Sequence, residues 1–125
     1  MSKLLPYRIL LIEDNLGNRE VFSEILELQG YQVIPSKNGI EGLRLAEETN
    51  PSLIISDIQL PDISGFALLE FFKKTAKIRE IPFLFLSAFS ESKMINKGLA
   101  LGANGYLVKP CSMQQMISTI HDILL

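Results

Sequence analysis

The sequence predicts an α/β domain in which helices cover both faces of a five-stranded parallel sheet. Five short apolar runs alternate with five amphipathic segments along the chain, and the runs at 53–56 and 83–86 are almost wholly apolar. A strand buried on both faces lacks the polar alternation of a strand with one wet face. Strands and helices that alternate through right-handed crossovers form a doubly wound parallel sheet.

Caps and helix stops delimit the elements of the first half. Asn15 can cap the first helix, and Gly30 can end it. Asn38-Gly39 marks a turn before the second helix, which ends near Pro51 because the residue before a proline avoids helical geometry. Apolar residues recur at helical spacing in both segments. The predicted elements are a strand at 7–12, a helix from 15 to about 29, a strand at 31–35, a helix from 40 to about 50 and a strand at 53–56.

The second half repeats this pattern. Ser64 can cap the third helix, and Gly102 can end the fourth. Gly98 lies inside the fourth helix, at a cost of roughly 1 kcal/mol relative to alanine, so we predict that this helix is unusually mobile. The predicted elements are a helix from 64 to about 72, a strand at 83–86, a helix at 91–101, a strand at 105–108 and a helix from 112 to about 124.

Length and composition limit the classes of function. The 125 residues, 47% of them hydrophobic, suit a single domain with a core at about 7–125. A net charge of −2 gives no basic excess for nucleic acid, and no apolar stretch approaches the roughly 20 residues that span a bilayer. The N-terminus lacks the apolar core of a signal peptide. One cysteine, Cys111, and one histidine, His121, fit a cytoplasmic protein without disulfides or zinc.

Chemically useful side chains follow four of the predicted strands. Glu13 and Asp14 follow the first strand, Asp57 the third, Ser87 the fourth and Lys109 the fifth. The carboxyl ends of parallel strands lie along one edge of the sheet, which is where open α/β sheets bind ligands. We therefore expect these five side chains to share one pocket.

These residue types indicate phosphoryl chemistry at a metal site. Two carboxylates 5 Å apart repel by roughly 3 kcal/mol at an effective dielectric constant near 20, so a fold that gathers three of them binds a cation or keeps one protonated. Oxygen ligands alone suit Mg²⁺. Lys109 and Ser87 can contact phosphoryl oxygens, and Asp57 can act as a nucleophile. Taken singly, each residue is more simply a cap, a turn former or a surface group; their joint placement favours a site.

Four segments resemble the response-regulator receiver domain of two-component signalling. Each is weak alone, but together they are highly specific, and the resemblance runs from about Tyr7 to the end of the chain. It implies a flavodoxin-like sheet with strand order 2-1-3-4-5. The segments are residues 9–15 (ILLIEDN), 54–65 (IISDIQLPDISG), 85–88 (FLSA) and 102–110 (GANGYLVKP).

The resemblance implies a role for each residue of the site. Asp57 would receive a phosphoryl group from the phosphohistidine of a histidine kinase or histidine phosphotransfer protein. Glu13, Asp14, Asp57 and the backbone carbonyl of Gln59 would hold Mg²⁺, and Lys109 would pair with the phosphoryl group. Catalysis would be limited to phosphorylation and dephosphorylation of the domain itself, so the chain would not be an enzyme in the ordinary sense.

The resemblance also implies a switch and a docking surface. Ser87 would bond a phosphoryl oxygen beside the small Ala88, and Tyr106 would swing inward behind it, changing the face of the fourth helix, fifth strand and fifth helix. The peptide bond from Lys109 to Pro110 would be cis. A phosphorylation-dependent dimer is compatible with the resemblance. The kinase-docking surface would include Leu16, Arg19, Phe22, Pro110 and Cys111.

Three other functions are weighed against this one. A haloacid-dehalogenase-like phosphatase needs a second acid two residues after its nucleophile, where this chain has Gln59. An FMN carrier needs a glycine- and hydroxyl-rich loop after the first strand, where Glu13 and Asp14 would repel the phosphate. A pseudo-receiver would keep the fold and bind partners without phosphorylation. A P-loop is excluded because the chain has no Gly-x-x-x-x-Gly-Lys stretch.

Overall fold

A computed structural model describes residues 7–125, where five strands and five helices alternate. All neighbouring strands are parallel, in the order β2-β1-β3-β4-β5, so the predicted fold class and strand order are confirmed. Residues 1–6, where the sequence predicts no signal peptide, lie outside the described part. The elements are β1 (Arg8–Ile12), α1 (Leu16–Leu28), β2 (Gln32–Ser36), α2 (Gly39–Thr49), β3 (Leu53–Ser56), α3 (Gly65–Lys74), β4 (Phe83–Ser87), α4 (Ser92–Ala100), β5 (Gly105–Val108) and α5 (Met113–Leu124).

The sheet separates two apolar cores because successive side chains of a strand point to opposite faces. In β1, Leu10 and Ile12 pack with α2 and α3, where Phe72 is among the buried side chains. Ile9 and Leu11 face the other way and pack with α1 and α5. Every residue of β3 and β4 is buried. The last residues of β3 and β4 therefore have fixed positions at the edge of the sheet.

Side-chain caps begin four of the five described helices. The predicted caps Asn15 and Ser64 accept hydrogen bonds from the backbone N–H groups of Asn18 and Ala67. Ser112 caps α5 in the same way. The expected turn at Asn38-Gly39 is instead the start of α2. Asn38 caps that helix by accepting from Glu41 N, and Gly39 is its first residue. The sequence-based interpretation of this pair was therefore wrong.

Gly98 has a packing role in α4, which runs through it without interruption. A Cβ atom at this position would lie 3.0 and 3.1 Å from ring carbons of Phe85 in β4. The glycine thus allows α4 to approach the sheet closely. The mobility of α4 stays a prediction. Within residues 7–125, no helix combines the length and apolar character needed to cross a membrane.

Candidate functional site

The carboxyl ends of β1, β3 and β5 border one open pocket of about 500 Å³. The sequence predicted that Glu13, Asp14, Asp57, Ser87 and Lys109 would share one pocket. The structure brings four of them to its wall, but Ser87, the last residue of β4, is buried and does not line the pocket. Ala88, which follows β4, also lines it. The predicted site residues in the lining are Glu13, Asp14, Asp57, Gln59 and Lys109.

The ammonium group of Lys109 bridges two carboxylates at this edge. Its Nζ atom donates to Glu13 Oε1 at 2.7 Å and to Asp57 Oδ2 at 2.8 Å. The Glu13 side chain is 3% exposed and that of Asp57 is 11% exposed, so solvent screens these pairs little. Burial alone would lower the pKa of Lys109, but the bonds to Asp57 and Glu13 outweigh it and raise the pKa. Lys109 therefore carries its positive charge inside the site.

Backbone N–H groups hold both of these carboxylates in place. Asp57 Oδ1 accepts from the N–H of Ile58 at 2.6 Å and from that of Gln59 at 3.3 Å. Glu13 Oε2 accepts from Asn15 N at 3.1 Å. Each carboxylate thus has one oxygen bonded to the backbone and the other bonded to Lys109. Neither can turn without breaking a hydrogen bond, so the orientation of the acids is largely preset.

Three carboxylates could hold a metal ion here. Oxygen atoms of Glu13, Asp14 and Asp57 lie within 4.8 Å of one another, and Asp14 is exposed. With Lys109, these groups carry a formal charge of minus two. Hard oxygen ligands, net negative charge and an open side toward solvent fit Mg²⁺, which retains several waters when bound to proteins.

Arg19 fixes the backbone of the acidic pair, a contact that the sequence did not reveal. Its Nη1 atom donates to the carbonyl oxygen of Glu13 at 2.8 Å and, more weakly, to that of Asp14 at 3.4 Å. The sequence placed Arg19 on a docking surface. Arg19 lies one helical turn after Asn15, the cap of α1. This spacing could have indicated that the Arg19 side chain reaches back to the loop at residues 13 and 14.

The residues expected to form the switch meet at Phe89, which the sequence did not single out. Ser87 is buried, and its Oγ accepts from Phe89 N at 3.2 Å. The Tyr106 hydroxyl donates to the carbonyl oxygen of the same residue at 2.7 Å. Burial raises the pKa of Tyr106, so its hydroxyl stays a neutral donor. Both hydroxyls therefore hold the loop after β4 through the backbone of Phe89. The inward swing of Tyr106 stays a prediction.

The expected docking residues surround the same end of the sheet. Leu16 is 58% exposed, and Cys111 is half-buried. The Phe22 ring lies with its centroid 5.8 Å from Lys109 Nζ. The peptide bond between Lys109 and Pro110 is cis, as the resemblance implied.

Comparisons with known proteins agree with this geometry. The family described as "Response regulator receiver domain" matches residues 9–121. The polar-differentiation response regulator DivK of Brucella anthropi is 36% identical over 123 residues, covering 96% of this chain and 98% of that protein.

Solved structures of receiver proteins are also similar. The signal receiver domain of a signal transduction histidine kinase from Syntrophus aciditrophicus has a TM-score of 0.86 and 34% identity, over 94% of this chain and 89% of that one. The chemotaxis protein CheY4 of Vibrio cholerae has a TM-score of 0.89 and 28% identity, over 94% and 98% of the two chains.

Proposed function

The chain belongs to the response regulator receiver family of two-component signalling, and we propose that Asp57 accepts a phosphoryl group from a phosphohistidine partner. The observation that supports this most directly is the position of Lys109. Its ammonium lies 2.8 Å from Asp57 Oδ2, where an incoming phosphoryl group would bring negative charge. A preorganised cation at such a point lowers the barrier without reorganising during the reaction.

The transfer needs little beyond alignment and charge compensation. An oxygen of Asp57 forms the new O–P bond while the N–P bond of the phosphohistidine breaks, and the electron pair of that bond stays on the imidazole nitrogen. Both carboxylate oxygens have partners, but those of Oδ1 are backbone N–H groups of Ile58 and Gln59, whereas the partner of Oδ2 is the Lys109 side chain, which can move. We therefore assign Oδ2 as the nucleophile. Lys109 then shifts from the carboxylate toward a phosphoryl oxygen.

Mg²⁺ would be held by Glu13, Asp14, Asp57 and the backbone carbonyl of Gln59. When bound, it would neutralise charge on the phosphoryl oxygens as a Lewis acid. Arg19 would support this set by holding the carbonyl oxygens of Glu13 and Asp14, so that both acids keep their direction.

The loop after β4 would report the phosphorylation. Ser87 Oγ accepts a hydrogen bond from Phe89 N, so its own hydroxyl hydrogen can be donated to a phosphoryl oxygen. Drawing Ser87 toward the phosphoryl group would shift Phe89, whose carbonyl oxygen Tyr106 holds. The change would pass to the face formed by α4, β5 and α5, where an output partner would detect it. The phosphodonor, a histidine kinase or a histidine phosphotransfer protein, would dock near α1 and Pro110.

The test is labelling by a small phosphodonor. Wild-type chain incubated with Mg²⁺ and ³²P-acetyl phosphate should become labelled, and Asp57→Ala should not. Asp122→Ala, which removes an exposed acid of α5, should be labelled like the wild type. Retention of label by Asp57→Ala would refute the assignment. A folded wild-type chain that takes no label from acetyl phosphate or from phosphohistidine donors would instead indicate a pseudo-receiver.

A further inference from the structure

The loop between β3 and α3, residues 57–64, is fastened to the start of α2 by Asp62. The Asp62 carboxylate accepts from Gly39 N at 2.9 Å through Oδ1 and from Ile40 N at 2.7 Å through Oδ2. Asn38 accepts from the next donor, Glu41 N, at 2.8 Å. A helix start exposes several N–H groups without partners, and one side-chain cap usually satisfies one or two of them. Here the second cap comes from a loop more than twenty residues away.

The close approach of loop and helix depends on a missing side chain. A Cβ atom at Gly39 would lie 2.9 Å from Ile63 Cγ1 and 3.3 Å from Asp62 Oδ1. Any larger residue would push the loop away from the helix. Together, the two hydrogen bonds and this packing make the contact specific to the loop and not a general affinity of the helix end for an acid.

The near end of the same loop is fixed separately. Gly65 N donates to the carbonyl oxygen of Ile58 at 2.7 Å, and Asp57 Oδ1 accepts from Ile58 N. Residues 59–61 therefore form a three-residue span between a fixed Ile58 and a fixed Asp62, along which Gln59 N makes one longer bond, of 3.3 Å, to Asp57 Oδ1. So short a span between two fixed points has few conformations to choose from.

The far anchor is tied to the acidic pair through α2 and β1. A Cβ atom at Gly42 of α2 would lie 2.8 Å from Ile12 Cγ1, so the helix rests directly on the last residue of β1. Glu13 is the next residue. The path from Asp62 through α2 to Ile12 thus sets the position of residues 59–61 relative to Glu13 and Asp14.

We propose that Asp62 is a positioning residue that holds the backbone carbonyl of Gln59 in place to complete the metal site. This inference rests on the proposed function, because Gln59 is a ligand only in a receiver that binds Mg²⁺. Asp62 touches neither the metal nor the phosphoryl group in this account. It acts by restricting the span between the two anchors, so its loss should weaken metal binding without removing a ligand.

The experiment compares Asp62→Ala and Asp62→Asn with Asn38→Ala in the full chain. Asn38→Ala removes the other cap of the same helix but leaves the loop anchored. Asp62→Ala and Asn38→Ala should therefore each lower the thermal midpoint by about 4 °C. Mg²⁺ affinity, measured from amide NMR shifts, should fall about tenfold in Asp62→Ala, the lower end of the range for supporting residues of metal sites. It should be unchanged in Asn38→Ala. Asp62→Asn keeps one acceptor oxygen, so its affinity should lie between these values, and it serves as the test variant if Asp62→Ala does not fold.

Hydrogen exchange of the Gln59 amide, which donates to Asp57 Oδ1, is the second readout, measured without Mg²⁺. It should speed up in Asp62→Ala and stay at the wild-type rate in Asn38→Ala. If Asp62→Ala matches Asn38→Ala in both Mg²⁺ affinity and exchange, the inference is wrong while the proposed function stands. If the wild type binds no Mg²⁺, the proposed metal site is wrong, and unchanged exchange in Asp62→Ala would then also refute the anchoring role.

Discussion

The two loops that flank Asp57 are held in different ways. The loop between β3 and α3 is fixed at both ends, by Gly65 against Ile58 and by Asp62 against α2. The loop between β4 and α4, residues 88–91, is held through the backbone of Phe89 by two hydroxyl groups. Glu91, the residue before α4, makes no side-chain cap bond to the helix. The first loop would supply a ligand and has to stay in place, whereas the second would have to move. A charge introduced at Asp57 would therefore keep its position relative to the loop between β3 and α3, and the loop between β4 and α4 would move in response to it.

The largest effect is expected from removing the side chain that joins the two sides. Lys109 follows β5, yet its ammonium group binds Glu13, which follows β1, and Asp57, which follows β3. Lys109→Met should lower the rate of phosphorylation by acetyl phosphate at least about 100-fold, as loss of one preorganised electrostatic contact does in enzyme active sites. Lys93→Met, at an exposed position of α4, is the matched control and should react at the wild-type rate. A Lys109→Met rate within threefold of wild type would remove Lys109 from the mechanism.

Paired glycine substitutions compare the two regions directly: Gly65 adjoins the loop between β3 and α3, and Gly98 lies in α4, which follows the other loop. A Cβ atom at Gly65 would meet the carbonyl oxygen of Asp57 and lie 2.8 Å from Ile58 Cα, and this backbone cannot yield easily. Gly65→Ala should lower the free energy of unfolding by about 3 kcal/mol. At Gly98 the neighbour is the Phe85 ring, and alanine gains about 1 kcal/mol of helix propensity, so the net change should lie within about 1 kcal/mol.

Urea unfolding measures both changes, with Gly17→Ala as the control. Apart from the helix's own backbone and the adjacent residues, the nearest atom to a Cβ there is the Asn15 cap oxygen at 3.3 Å, so the net change should lie within about 1 kcal/mol. Equal losses of stability at Gly65 and Gly98 would show that the two sides are equally rigid.

A smaller effect is expected from Tyr106→Phe, which deletes the hydroxyl that holds Phe89. The loss of this hydrogen bond should lower the free energy of unfolding by about 1 kcal/mol. Amide exchange should quicken at residues 88–91 and in α4, while labelling of Asp57 continues. In the wild type we expect α4 to exchange faster than α1. Equally slow exchange in both helices would contradict the predicted mobility of α4.

The smallest expected effect is a pH dependence of stability that arises from Asp62 in the loop between β3 and α3. Burial alone would raise the pKa of Asp62, but N–H groups of Ile40 and Gly39 outweigh it and hold the pKa below its usual 3.8. A carboxyl with a lowered pKa in the folded state stabilises the fold above its usual pKa, and this contribution disappears as the pH falls through the lowered value. The stability difference between wild type and Asp62→Asn should therefore shrink below about pH 4. Urea midpoints at a series of acid pH values give this difference; a constant difference would show that Asp62 does not titrate in the contact.

Much of the site could be predicted because it depends on strand ends. Parallel strands bring their last residues to one edge, so Glu13, Asp57 and Lys109 could be placed together from apolar runs alone. The helix caps at Asn15 and Ser64 could also be predicted, because a cap is a local signal carried by the residue just before the helix. Asn38-Gly39 was misassigned because this pair is as suitable for a turn as for a helix start.

The supporting contacts could not be predicted, since they join distant parts of the chain. Asp62 meets Gly39 and Ile40 across more than twenty residues, and no local pattern records that distance. Phe89 contributes backbone atoms, which its side-chain type does not reveal. The reason for Gly98 is the Phe85 ring on another element, so propensity alone suggested only a weakened helix.

The most direct test of the central claim is to locate the phosphoryl group chemically. Borohydride reduces an acyl phosphate of aspartate to homoserine, which peptide mass spectrometry can assign to one position. After treatment with Mg²⁺ and acetyl phosphate, we predict homoserine at residue 57 and unmodified aspartate at 14 and 62. Homoserine at Asp14 or Asp62, or its absence from a chain that carries the label, would contradict the claim that Asp57 is the acceptor.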